Sequence, residues 1–259
     1  MSSTMRKIFL ILIFIPILIN TQAQVNVRVQ AKDTLSISKF YPQTTEGTQF
    51  SAKQLVVPGI LIAAGIYGTI DTQIDKKIKN QAIKWNGDTF IDEVFTVAAP
   101  TSVYVLNWCG VHGKHNFIDR TVILGTSSIL AIGSTHLLKQ TIDTTRPDGD
   151  GNDAFPSRHT ALAFAGAEFL RQEFKDQSVW YGVAGYTFAT ATGFLRVYNN
   201  RHWVSDILAG AGIGILATQA SYWLYPEIRK LYAGSKLDRA MLVPFGNNRG
   251  LGISFSANF

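Results

Sequence analysis

Six long stretches of this 259-residue chain are almost free of formal charge, and that limits the available folds more than any other feature. Leu55–Ile70, Val94–Gly113, Thr121–Leu138, Val179–Leu195 and Ile207–Tyr225 contain no Asp, Glu, Lys or Arg. Ala161–Leu170 is shorter and carries only Glu168. Runs of this length read as helices rather than buried strands. Their abundant Gly, Ala, Ser and Thr lets helices approach closely, as they do inside a bilayer. The expectation is an all-α protein, a six-helix bundle. Val179–Leu195 and Ile207–Tyr225 come close to the length a membrane span needs, while the others are short or carry enough Gly, Pro and Thr to be core helices of a soluble bundle. A membrane-embedded bundle is therefore expected, with a compact secreted bundle as the alternative. Charged residues make up 16% of the chain, against roughly 25% in ordinary soluble domains. Hydrophobic residues reach 46%, which excludes a disordered chain.

The chain opens with Arg6 and Lys7, an apolar run Ile8–Ile19, and Thr21-Gln22-Ala23 before Gln24. That order reads as a secretory signal peptide over 1–23, the alternative being an uncleaved anchor. A polar segment over 24–54 follows, then the helical domain over 55–225 and a tail over 226–259. In the tail, the strand-like runs Ala240–Phe245 and Leu251–Phe259 flank Gly246–Gly250 and read as a β-hairpin. The second run ends like the terminal strand of an outer-membrane barrel, but one hairpin cannot close a barrel. One cysteine, Cys109, excludes an internal disulfide and any cysteine-rich zinc site. The net charge of +6 suits an anionic substrate or membrane surface and is too dispersed for nucleic acid.

Against this uncharged background, three polar clusters stand out. Lys139 to Arg146-Pro147 follows the third stretch. Phe155-Pro156-Ser157-Arg158-His159 opens the fourth. Arg196 to Arg201-His202 and Asp206 joins the fifth to the sixth. Segment ends alternate between the two sides of a bundle, so all three clusters fall on one side. Lys139, Arg146 and Arg196 supply cationic donors, and Ser157 with the start of the fourth helix supplies neutral ones. Such a set suits phosphate and the charge of a pentacoordinate transition state. His202 and Asp206 are four apart and share a helix face, so the carboxylate can orient the ring for nucleophilic attack. His159 remains to protonate a leaving alkoxide.

Three further patterns do not carry chemistry. The acids Asp148, Asp150 and Asp153 open like a calcium loop, but Asp153 stands where Gly is required and His159 where Glu is required. His112 and His115 lack acidic or thiol companions for zinc. Ser157 lacks the Gly-x-Ser-x-Gly elbow of a serine hydrolase. No metal or cofactor is expected.

The clusters resemble the signature of the type-2 phosphatidic acid phosphatase superfamily, which also contains class A acid phosphatases and vanadium haloperoxidases. The family pattern is Lys-x6-Arg-Pro, then Pro-Ser-Gly-His, then Ser-Arg-x5-His-x3-Asp. Lys139–Pro147 matches the first; Arg158 replaces Gly in the second, and Leu195 replaces Ser in the third. The resemblance implies a six-helix fold of the phosphatidic acid phosphatase and haloperoxidase type. It implies that Lys139, Arg146, Ser157 and Arg196 hold phosphate, with Arg158 at the pocket mouth. It further implies that His202 forms a phosphohistidine, Asp206 orients it and His159 is the acid, without a metal.

The resulting expectation is an envelope phosphatase acting on a phosphomonoester or diphosphate of a membrane lipid. Phosphatidate, phosphatidylglycerophosphate, polyprenyl diphosphate and lipid A are the candidates. A non-specific acid phosphatase, a vanadate-dependent haloperoxidase and a non-catalytic envelope interaction protein are the alternatives. Lys76, Lys77, Lys79 and Lys84, read as a loop, favour an inward-facing site. The signal peptide favours the periplasmic side. The expectation is a site facing the periplasm, with at least one segment not spanning.

Overall fold

The structure is a computed structural model, and it describes residues 50–81, 89–233, 240–247 and 250–257. The expected signal peptide and most of the polar segment before residue 55 lie outside the described residues. The described chain is mostly helical. After a 3₁₀ turn at Ala52–Leu55 come α1 (Val56–Ile70), α2 (Gln73–Gln81), α3 (Thr89–Trp108), α4 (Phe117–Thr141), α5 (Arg158–Phe174), α6 (Val179–Tyr198) and α7 (Val204–Lys230). The tail backbone pairs as β1 (Ala240–Asn247) and β2 (Gly250–Ala257), antiparallel, with Asn247 opposite Gly250.

The described residues thus hold seven α-helices where six were expected. The addition is α2, in the lysine-rich segment expected to be a loop. A search for apolar runs passes over it, yet its ends are well specified. Asp71 accepts from the Gln73 N–H at 3.2 Å, Asp75 lies in the first turn and Lys79 in the last. Those charges complement the helix dipole. α4, α5, α6 and α7 outrun the apolar stretches because their end turns are polar, whereas α1 stays within its stretch and α3 starts earlier but ends at Trp108. α4 starts at Phe117 because the Asn116 side chain accepts from the Asp119 N–H at 2.9 Å. α5 extends past Leu170 through Gln172 and Glu173, both buried. Its Glu168 is satisfied by Arg171 (2.6 and 2.7 Å), Gln172 (2.9 Å) and Tyr186 (2.6 Å).

α5 and α7 form the centre. Phe169, Leu170 and Phe174 of α5 pack with Tyr222 and Tyr225 of α7, Ala99 and Val103 of α3 and Ile123 of α4. Nearer the opposite end, Ala161 of α5, Ala131 of α4 and Ile213 and Ala217 of α7 form a second cluster. Small residues set how closely the two central helices approach. A Cβ on Gly210 would lie 2.5 Å from the Ser157 carbonyl, and one on Gly214 would collide with the Ala161 carbonyl. Gly210 therefore holds the start of α5 against the first turns of α7, where the chemistry-bearing residues lie.

Among the described residues, three helical stretches are long and apolar enough to cross a membrane: Ala52–Ile70, Phe117–Thr141 and Val204–Lys230. α7 is the interior member of the three, with 67% of its apolar window buried against 11% and 22% for the other two. α1 and α4 instead turn large apolar side chains outward, among them Ile60, Tyr67, Ile129 and Leu137.

Candidate active site

The C-terminal end of α4, the N-terminus of α5, the C-terminal end of α6 and the N-terminus of α7 meet on one side of the bundle. The turn from α6 to α7 places the residues of the third cluster. Asn200 adopts φ 55°, a left-handed conformation that Asn tolerates better than most residues. The chain reverses there, and the N–H groups of Arg201 and His202 both donate to the Arg196 carbonyl, at 3.0 and 3.3 Å. This brings His202 beside the root of Arg196.

Asp206 serves two groups. Its Oδ2 accepts from the Trp203 N–H at 2.8 Å, closing the first turn of α7, and lies 3.3 Å from His202 Nδ1. Both His202 and Asp206 are buried, at 3% and 0% exposure. The Asp206 carbonyl also accepts from the Ser157 N–H at 3.1 Å, which fixes α5 to α7. Ser157 caps α5. Its Oγ accepts from the Thr160 N–H at 3.4 Å and lies 3.0 Å from the Thr160 hydroxyl. His159 is the second residue of α5, in its first turn, and is half-buried; Arg158 beside it is exposed.

The cations converge on the histidines. Burial, then the charges of Arg196, Lys139 and Arg146, push the His202 imidazole down to about 3. Burial, then Arg196, His202, Arg158 and Lys139, push His159 down to about 4. Both rings are therefore neutral near pH 7 in the unliganded protein. Lys139 Nζ donates to the carbonyls of Asp153 and Ala154. Arg146 pairs with Asp153 at 2.8 Å, and Arg196 pairs with Asp92 at 3.3 Å. The Nε atoms of Arg146 and Arg196 are buried without a protein acceptor, and an oxyanion between them would satisfy both. All eight residues singled out in the sequence thus gather at this end of the bundle. The acids of the calcium-like loop face arginines: Asp148 and Asp150 pair with Arg201 at 3.3 and 3.8 Å, and Asp153 with Arg146.

The sequence did not reveal two groups that frame the site. The first is Asp92 on α3, fully buried, which accepts from Arg196 Nη1 and from Asn199 Nδ2 at 3.2 Å. The second is α2. Asp75 receives the Ser205 hydroxyl at 2.5 Å and the Ser205 N–H at 3.3 Å. Lys79 donates to the Pro147 carbonyl at 2.6 Å and lies over the Trp203 ring, whose Nε1 donates to the Thr145 carbonyl at 2.8 Å. α2 thereby ties the first and third clusters together.

Asp92 supplies a direct test. Removing one partner of a buried ion pair typically costs about 3–5 kcal/mol, because the other charge stays buried and unpaired. Asp92→Ala is expected to lower the unfolding midpoint of the detergent-purified protein. Added inorganic phosphate should restore more stability to this variant than to the wild type, because Arg196 is left without its carboxylate. Equal phosphate stabilisation of the two proteins would remove Arg196 from the anion site.

A helical bundle whose helix ends present three cations, a capping serine and a histidine beside a carboxylate offers the donors that a phosphoryl group requires. Residues 120–230 of the chain match a family model of the PAP2 superfamily. Lipid A 1-phosphatase of Porphyromonas gingivalis is 47% identical over 167 residues, covering 63% of this chain and 37% of that protein. The chain thus spans well under half the length of that relative. Phosphatidylglycerophosphatase B of Bacillus subtilis is 26% identical over 176 residues, covering 61% of this chain and 86% of that protein. Among solved structures, Aquifex aeolicus LpxE matches with a TM-score of 0.40 at 23% identity, over 58% of this chain and 93% of that one.

Proposed function

We propose that this protein is a metal-independent lipid phosphatase working through a phosphohistidine. The observation that carries the reading is the buried His202–Asp206 pair, 3.3 Å apart, lying within the field of Lys139, Arg146 and Arg196. In this reading the phosphate lies among the three cations, and Ser157 donates its O–H, since its oxygen already accepts from the Thr160 N–H. The N-terminus of α5 adds backbone N–H groups. Asp206 holds His202 Nδ1–H, leaving Nε2 to attack phosphorus. The phosphorus–oxygen bond to the leaving group breaks as the nitrogen–phosphorus bond forms, and His159 gives its proton to the departing alkoxide. His159, now neutral, then takes a proton from the water that cleaves the phosphohistidine. Arg158 stands at the mouth, where its charge meets a substrate headgroup.

The substrate is the phosphate of a membrane lipid. The name of the P. gingivalis relative puts a lipid A phosphate first among the candidates, ahead of phosphatidylglycerophosphate, phosphatidate and polyprenyl diphosphate. Three helices able to span among the described residues and the outward apolar side chains of α1 and α4 support membrane association. The site faces the periplasm in this reading, with the leader removed, six segments making the membrane-proximal bundle and the terminal hairpin packed against it or offered to a partner.

The test is phosphate release from the four lipids in mixed micelles, with EDTA present and with added vanadate. Activity should survive chelation, because the cations of the site are side chains. Vanadate should inhibit by taking the pentacoordinate geometry of the transition state. Loss of activity in EDTA, restored by magnesium or calcium, would refute the metal-free mechanism. Bromide oxidation with vanadate, in place of phosphate release, would favour the haloperoxidase reading.

A further inference from the structure

Resting on that reading, we propose that the Asp153 carboxylate is an internal occupant of the phosphate site, which substrate displaces on entry and which speeds the departure of product phosphate. Asp153 lies four residues before Ser157 and outside all three sequence clusters. Its Oδ1 lies 2.8 Å from Arg146 Nη2 and its Oδ2 4.0 Å from Lys139 Nζ. These are two of the three cations assigned to phosphate. The carboxylate therefore sits on the donors that the substrate needs.

The loop is built so that the side chain can leave while the backbone stays. Residues 144 and 153 form a parallel bridge, with Thr144 N–H donating to Asn152 O and Ala154 N–H donating to Thr144 O, both at 3.0 Å. Lys139 Nζ donates to the Asp153 carbonyl, fixing the backbone a second time. The Asp153 side chain is nevertheless 53% exposed, whereas Lys139 and Arg146 are 14% and 22% exposed. A carboxylate held this close to solvent is weakly bound. A phosphate dianion carries more charge and also meets Ser157 and the α5 N-terminus, so it displaces the carboxylate. The other loop acids behave differently. Asp148 and Asp150 pair with Arg201, which is not one of the phosphate cations.

This exchange weakens substrate and product alike. Product phosphate makes only the contacts of the pocket, so it is the species the returning carboxylate ejects most readily. A lipid substrate keeps its membrane contacts and loses proportionally less.

The experiment compares wild type, Asp153→Asn and Asp150→Asn, each full length in detergent, in turnover of p-nitrophenyl phosphate with inorganic phosphate as inhibitor. For Asp153→Asn, the phosphate inhibition constant and KM should fall by about three- to tenfold, the range that two partly exposed ion pairs command. Asp150→Asn removes the same charge from the same loop and should change either constant by less than about twofold. Equal tightening in the two variants would reduce the effect to general charge and overturn the proposal. Unchanged or weaker phosphate inhibition in Asp153→Asn would also overturn it, making the residue a support for Lys139 and Arg146. If Asp153→Asn does not fold, Asp153→Ser is read in its place; failure of both to fold would make Asp153 structural and overturn the proposal. Failure of the phosphatase reading looks different. There the wild type itself shows no phosphate-inhibited turnover above the His202→Ala background.

Discussion

His202→Ala is expected to abolish turnover, by about 10⁴-fold or more, and to leave no acid-labile phosphohistidine when the reaction is quenched with labelled phosphoryl substrate. The size follows from the division of labour at the site. Lys139, Arg146 and Arg196 remain in the variant, so binding and some electrostatic stabilisation survive. The nucleophile does not, and no other side chain stands in its place. Asp206 cannot substitute: its Oδ2 is engaged by the Trp203 N–H at 2.8 Å and it is fully buried. The depressed basicity of His202 is no obstacle to this role. At about 3, the ring is neutral throughout the physiological range and needs no deprotonation before attack. The variant should also fold, because the first turn of α7 is closed by Asp206 and Trp203 and not by His202. Unchanged phosphate protection against unfolding would confirm an intact pocket. Label recovered on His202→Ala would place the covalent bond elsewhere, and His159 would then be the candidate nucleophile.

The parts of the site that the sequence revealed share one property: they are polar or charged residues at the ends of apolar stretches. In a chain with so few charges, Lys139, Arg146, Arg196, His202 and Asp206 stand out, and the alternation of helix ends is enough to place them together. Asp92 has no such contrast. It lies near the polar start of α3, 104 residues from its partner Arg196, and only packing of α3 against α6 brings the two within 3.3 Å. α2 escaped for the opposite reason. Its polar, lysine-rich sequence hides a helix whose Asp75 and Lys79 point at the site, and charge alone reads as a solvated loop. Asp153 was visible only as a failed calcium ligand. Its position against Arg146 depends on the bridge between residues 144 and 153, which no local pattern announces. The tail backbone pairs over Ala240–Asn247 and Gly250–Ala257, two residues past the expected end of the first run and one before the expected start of the second.

His159→Ala is expected to fail selectively, and the selectivity identifies the acid. Alkyl phosphates release an alkoxide that needs a proton, so their turnover should fall by about 10²–10⁴-fold, the usual worth of general acid assistance. p-Nitrophenyl phosphate releases a stable anion and should lose much less. The pH dependence provides a second handle. In the empty site His159 lies at about 4, held down by burial and by Arg196, His202, Arg158 and Lys139, so it is unprotonated at pH 7. A phosphoryl group arriving among those cations cancels much of their repulsion and raises the pKa of the ring. The second ionisation of a phosphomonoester lies near pH ~6, so below that pH the substrate enters with the proton His159 lacks. The sign follows: for alkyl phosphates kcat/KM should climb as pH falls from 8 towards 5, with His202 still neutral across that interval. In His159→Ala the kcat limb reporting protonation of the bound ring should vanish, and only the titration of the substrate should remain. Equal losses on alkyl and p-nitrophenyl phosphates, with an unchanged kcat profile, would show that His159 binds phosphate without transferring the proton.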